Sequence, residues 1–131
     1  MATIIQQIFI EASADAVWDV VADFGAVHRR FASGFVTDVV LEPGARIVTF
    51  ASGQVFREIF LGSDPKARRL AYSIRDDLFE HHSASFQGDE AGAGGARLTW
   101  TADLLPDAIA PTVAGMMQQG LAVAKQVLAE A

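Results

Sequence analysis

The sequence predicts an α+β fold in which a seven-stranded antiparallel sheet curls around one long C-terminal helix, with two short helices after the first strand. Three observations predict it. Apolar residues recur at helical spacing through Pro106 to Ala131, strand-like alternation broken by turn residues fills Phe35 to Asp103, and one further apolar strand opens the chain at Ile4 to Ile10. Seven strands have more inner surface than one helix covers, so the sheet is expected to curl and to leave some volume unfilled.

Taken in order, Ile4 to Ile10 (IIQQIFI) is β-branched and too short for a helix. Ser13 is a natural N-cap, with Asp15 in the first turn and Ala16, Val17, Val20, Val21 and Phe24 at helical spacing behind it; Trp18 lies near the edge of that face. Gly25 breaks this helix, and Ala26 to Phe31 (AVHRRF) reads as a second short one. Strands are then expected at Phe35 to Leu41, Arg46 to Phe50, Gln54 to Leu61, Arg68 to Arg75, His82 to Gln87 and Ala96 to Asp103, joined by connections short enough for a meander. In the last three, Leu70, Tyr72 and Ile74, then His82, Ala84 and Phe86, then Leu98, Trp100 and Ala102 face one way, and their alternates are mostly polar. Along the final helix Ile109, Val113, Met116, Met117, Gly120, Leu121, Val123, Ala124, Val127 and Leu128 share one side; Asp107 can cap its start, and Pro111 suits a first helical position. Gly120 sits in the middle of the apolar stripe, where glycine costs about 1 kcal/mol relative to alanine. It either lets a strand pass close or keeps volume free beside the two methionines.

At 131 residues and 51% apolar content the chain reads as a single domain, 1–131. Ten basic against sixteen acidic residues, net charge −6, argue against nucleic acid or an anionic membrane surface as a partner. The absence of cysteine rules out disulfides, thiol nucleophiles and thiolate metal sites. With neither a basic, apolar leader at Met1 to Ile10 nor a run of about twenty apolar residues for insertion into a membrane, a cytoplasmic location is expected.

The order of elements, with Ser13 to Phe31 (SADAVWDVVADFGAVHRRF) and its Trp18 and Asp23-Phe24-Gly25, Arg57-Glu58 before a turn, Arg68 to Ile74 (RRLAYSI) and Leu98-Thr99-Trp100, resembles the polyketide cyclase/dehydratase-like branch of the START/Bet v 1-like superfamily. The resemblance spans nearly the whole chain. It implies a helix-grip fold, a curved sheet gripping the C-terminal helix with an apolar cavity between them, partly closed by the two small helices. Members include polyketide cyclases and dehydratases and carriers of lipids and hormones. Many carry a tryptophan after the second short helix, where this chain has Phe31.

Around such a cavity the inward strand positions Phe56, Phe60, Tyr72, Phe86 and Trp100, the helix positions Val113, Met116, Met117 and Gly120, and Phe31 at the entrance are the expected ligand contacts. Glu58 lies between Phe56 and Phe60: facing inward it is a desolvated general acid or base, and otherwise it pairs with a neighbour such as Arg57 or Arg69, or is exposed. His82 points inward with Ala84 and Phe86 and could shuttle a proton or bond a ligand carbonyl, while His81 must point the other way, which argues against a metal site. His28, Arg29 and Arg30 form a small basic cluster near the expected mouth. No cofactor is implied. The expected function is binding of a small hydrophobic ligand; the alternatives are a cofactor-independent cyclase- or dehydratase-like enzyme using Glu58 or His82, and a protein-interaction module. A homodimer is also expected to be open to this chain, because Phe56, Ile59, Phe60 and Leu61 make one strand apolar on both sides.

Overall fold

The computed structural model describes residues 1–130; the predicted helix end at Ala131 lies outside the described residues. Strand β1 spans Ala2–Ile10, followed by α1 (Ala14–Val21) and the short α2 (Val27–Phe31). Six strands come next, β2 (Val36–Glu42), β3 (Ala45–Phe50), β4 (Val55–Asp64), β5 (Arg69–Arg75), β6 (His81–Ala91) and β7 (Gly95–Leu105), before the long α3 (Ala110–Ala129). The seven strands form one antiparallel sheet in the order β1-β7-β6-β5-β4-β3-β2, so the meander runs unbroken and β1 adds to its far edge beside β7.

Local sequence explains the helical segments. Ser13 Oγ accepts the Ala16 N–H at 3.1 Å and caps α1, which buries Ala14, Val17 and Val20. Ala16, expected on that face, is exposed instead. α2 is wound wider than an α-helix, the Ala32 N–H reaching back five residues to the Val27 carbonyl. At the other end Asp107 does not cap α3. A tight turn at Asp107–Ile109 leads into the helix, Pro111 sits in its first turn, and the Asp107 carboxylate lies 3.5 Å from the amino terminus of Met1.

α3 lies on the concave face of the sheet, burying Met117, Gly120, Leu121, Ala124 and Leu128. Its second turn is tied to β1 by Gln6 Nε2, which donates to the Ala114 carbonyl at 2.9 Å. The inward alternation of the last three strands holds, with Leu70, Tyr72, Ala84, Phe86, Leu98 and Ala102 all buried. Ser73 breaks the pattern, a buried serine on the nominally wet face, because its hydroxyl donates to the His82 carbonyl. β4 is apolar on both sides, Phe56 buried within and Val55 and Leu61 exposed without. Among the described residues no helix is long and apolar enough to cross a membrane.

Candidate functional site: a cavity under the first half of the long helix

The sheet curls more than α3 fills, and the unfilled volume is a cavity of about 310 Å³. Its sheet wall is built by Phe50 of β3, Phe56 and Glu58 of β4, Tyr72 and Ile74 of β5, His82 of β6, and Trp100 and Ala102 of β7. Thr112, Val113, Met116 and Met117 close it from α3, and Phe35, Gln54, Leu78, Phe79 and Ile109 from the connecting segments. The walls are largely aromatic. Ring contacts run from Phe35 to Phe50 (5.5 Å between centroids), Phe50 to Phe56 (5.9 Å), Phe56 to Phe79 (5.9 Å) and Phe79 to His82 (4.9 Å).

Glu58 faces inward and is 4% exposed. Its partner is neither Arg57 nor Arg69 but Arg46, which stands opposite it on β3. Arg46 Nε and Nη2 both donate to Glu58 Oε1, at 2.8 and 2.7 Å, Nη1 donates to the Phe24 carbonyl at 3.0 Å, and the guanidinium lies 4.0 Å from the centre of the Phe24 ring. Burial of an ion pair is tolerated only when such bonds replace the lost water. The same pair ties the α1–α2 corner to the wall of the cavity. Sequence reasoning missed Arg46, although the alternation Arg46, Val48, Phe50 already put it on the inner face. Arg57 points outward, to Glu42 at 3.0 Å.

His82 fills a gap in the sheet. β5 and β6 pair only from Arg69 opposite Gln87 to Tyr72 opposite Ala84; beyond that point the Ile74 N–H donates to His82 Nδ1 at 3.0 Å in place of a backbone carbonyl. A ring nitrogen that accepts carries no proton, so the neutral imidazole holds its proton on Nε2. Burial, and after it the neighbouring His81, lower the pKa of His82 from 6.5 to about 4. Near neutral pH the ring is an uncharged donor and a poor base. Tyr72 Oη accepts the Trp100 indole N–H at 3.1 Å, and burial, followed by the charge on Glu58, raises the pKa of its hydroxyl.

Eight of the twelve expected contacts therefore meet at the cavity: Glu58, His82, Phe56, Tyr72, Trp100, Val113, Met116 and Met117. The other four do not. Phe31 is buried edge-on against Phe86 at 5.3 Å, and Phe86 is stacked on Trp100 at 4.6 Å; both line two small voids, of about 40 and 10 Å³, and not the cavity. Phe60 keeps the inward side but lies past the Arg46–Glu58 pair, against Phe24 at 5.6 Å and 39% exposed, at the last regular β4–β5 pairing before the strand bulges. Gly120 borders the larger of these voids, one turn beyond the cavity's end. The His28 to Arg30 cluster does not line the cavity either, and Arg30 is paired with Asp19 at 2.7 Å and Asp23 at 2.9 Å.

Gly120 is a close-approach glycine, and what approaches is a pair of aromatic rings. A Cβ there would stand 3.2 Å from Trp100 Cζ3 and 3.3 Å from Phe35 Cε2. Gly120→Leu should therefore lower the unfolding free energy by about 1–3 kcal/mol through overpacking, despite the better helix propensity of leucine. Thermal and denaturant unfolding of the variant check this, and a gain in stability would mean that the rings yield freely.

Among the described residues no group of three or more His, Asp or Glu side chains is placed to hold a metal ion. The family model described as polyketide cyclase / dehydrase and lipid transport matches residues 1–129. No curated protein matches the sequence. Among solved structures, an uncharacterised protein from Bacillus thuringiensis has a TM-score of 0.86 at 18% identity, covering 97% of this chain and 98% of that one. Truncated norcoclaurine synthase from Thalictrum flavum has a TM-score of 0.75 at 18% identity, covering 97% and 93%. A START superfamily protein from Mycobacterium smegmatis has a TM-score of 0.71 at 17% identity, covering 98% and 84%. The likeness is one of fold, the helix-grip arrangement of the START/Bet v 1-like superfamily.

Proposed function

The chain belongs to the polyketide cyclase / dehydrase and lipid transport family, and from that premise we propose that it binds a small, neutral, hydrophobic ligand in the cavity between sheet and α3, without turning it over. The cavity itself carries this reading. About 310 Å³ is at the lower end of small-molecule sites and roughly ten times the share of one water in the liquid. Glu58 on its wall is already paired with Arg46 behind it and His82 is neutral, so among the described residues a charged ligand would find no unpaired counter-charge for its own desolvated charge.

Native mass spectrometry of gently purified protein, together with titration of the neutral dye N-phenyl-1-naphthylamine, tests the proposal. Dye fluorescence should rise to a stoichiometric plateau, and Val113→Trp, which places an indole in the same volume from α3, should abolish the rise while the melting temperature is kept. Absence of any bound mass and of any dye response would overturn it.

A second reading is a cofactor-independent cyclase- or dehydratase-like enzyme, favoured by the presence of a carboxylate and an imidazole on one cavity wall. A general base must reach the proton it takes and hold a suitable pKa. Here His82 is a weak base, and Glu58 Oε1 is occupied twice by Arg46. Deuterium exchange at the α-carbon of a bound ketone, lost in Glu58→Gln, would favour the enzyme; no exchange above the rate in buffer favours binding alone.

A further inference from the structure

We infer that the Tyr72 hydroxyl is a recognition donor, and that the cavity selects neutral ring compounds carrying a carbonyl oxygen, such as cyclic ketones and quinones, over hydrocarbons of the same shape. The inference rests on the binding function proposed above and specifies its ligand. A phenol has one proton to give and an oxygen that accepts. The Tyr72 oxygen is already used as an acceptor, by the Trp100 indole N–H at 3.1 Å, which turns the hydroxyl proton away from the indole. Among the described residues no protein acceptor takes that proton. A buried hydroxyl with an unspent proton is uncommon in a packed interior, where polar groups find partners.

Tyr72 is buried, 3% exposed, and it and Trp100 both line the cavity. Its raised pKa keeps the phenol protonated, so the donor persists across ordinary pH. The polar groups around it lean the same way. His82 has its Nδ1 engaged by the Ile74 N–H, which leaves only an N–H on the ring, and Glu58, the one carboxylate on the wall, is engaged by Arg46. The Gln54 amide and the Thr112 hydroxyl on the same lining can donate or accept, whereas the Tyr72 O–H, its oxygen already taken by Trp100, has only its proton to offer and so discriminates in favour of an acceptor. A hydrocarbon leaves that donor unpaired.

The test compares 1-tetralone with tetralin, two bicyclic compounds differing at one carbonyl, by quenching of tryptophan fluorescence and by the infrared C=O stretch of bound 1-tetralone. Wild-type protein should bind the ketone roughly tenfold more tightly than the hydrocarbon, as one hydrogen bond allows, with the C=O stretch moved to lower wavenumber. Tyr72→Phe should bring ketone and tetralin affinities level with each other and return the stretch to its position in hydrocarbon solvent. Equal affinities in the wild type, or a lowered stretch that survives in Tyr72→Phe, would overturn the assignment while leaving hydrophobic binding intact. If neither compound binds, the binding function itself fails, and this assignment with it. Even if Tyr72→Phe does not fold, a C=O stretch that keeps its hydrocarbon-solvent position in wild-type protein overturns the assignment.

Discussion

Glu58→Ala should lower the free energy of unfolding by about 3–5 kcal/mol, because it leaves the Arg46 guanidinium buried without its counter-charge. The Phe24 carbonyl and ring remain as partners, but a carbonyl does not replace a carboxylate. The paired replacement Arg46→Met with Glu58→Leu should recover most of the loss, since two apolar side chains of similar volume need no solvation. Urea unfolding of the single and double variants gives the comparison directly. A single-variant loss under about 1 kcal/mol, the range of solvent-exposed pairs, would show that water reaches the pair through the cavity.

The second large effect is on pH. His82 has a folded-state pKa of about 4 against 6.5 in the unfolded chain, so between those values the unfolded state binds a proton that the folded imidazole refuses. Stability from this residue is therefore complete above pH 6.5 and is lost as pH falls toward 4, by at most about 3 kcal/mol. Other groups titrate in the same window. The measurement is thus the difference between wild type and His82→Gln, whose amide oxygen can still accept the Ile74 N–H. The wild type should lose stability faster on acidification, and parallel curves would show that the ring is hydrated when folded.

Fold and site were legible to different depths, for a physical reason. Side-chain alternation has period two, so Leu70, Tyr72 and Ile74 announce their common face from one strand alone, and a stripe from Val113 to Leu128 announces a helix that must be covered. Alternation assigns a side of the sheet, however, and says nothing about position along it. Phe86 and Tyr72 share the inner side, yet only Tyr72 borders the cavity, because the open volume ends where Phe35, Trp100 and Gly120 meet. Phe60 fails in the same way, displaced past the pair that closes that part of the sheet. Arg46 was hidden by a different rule. A charge is ordinarily read as exposed, and only the register that sets it opposite Glu58 shows why it is not.

The cavity divides α3 into two unlike halves. Ile109, Val113 and Met116 at its start border open volume, whereas Leu121, Ala124 and Leu128 further on are packed against a solid interior. Local opening costs least where the fewest buried contacts are lost, so the two halves differ in what it costs to disturb them. A substitution at Val113 or Met116 changes the lining of the cavity, whereas one at Leu121, Ala124 or Leu128 falls on the packing that holds the helix to the sheet.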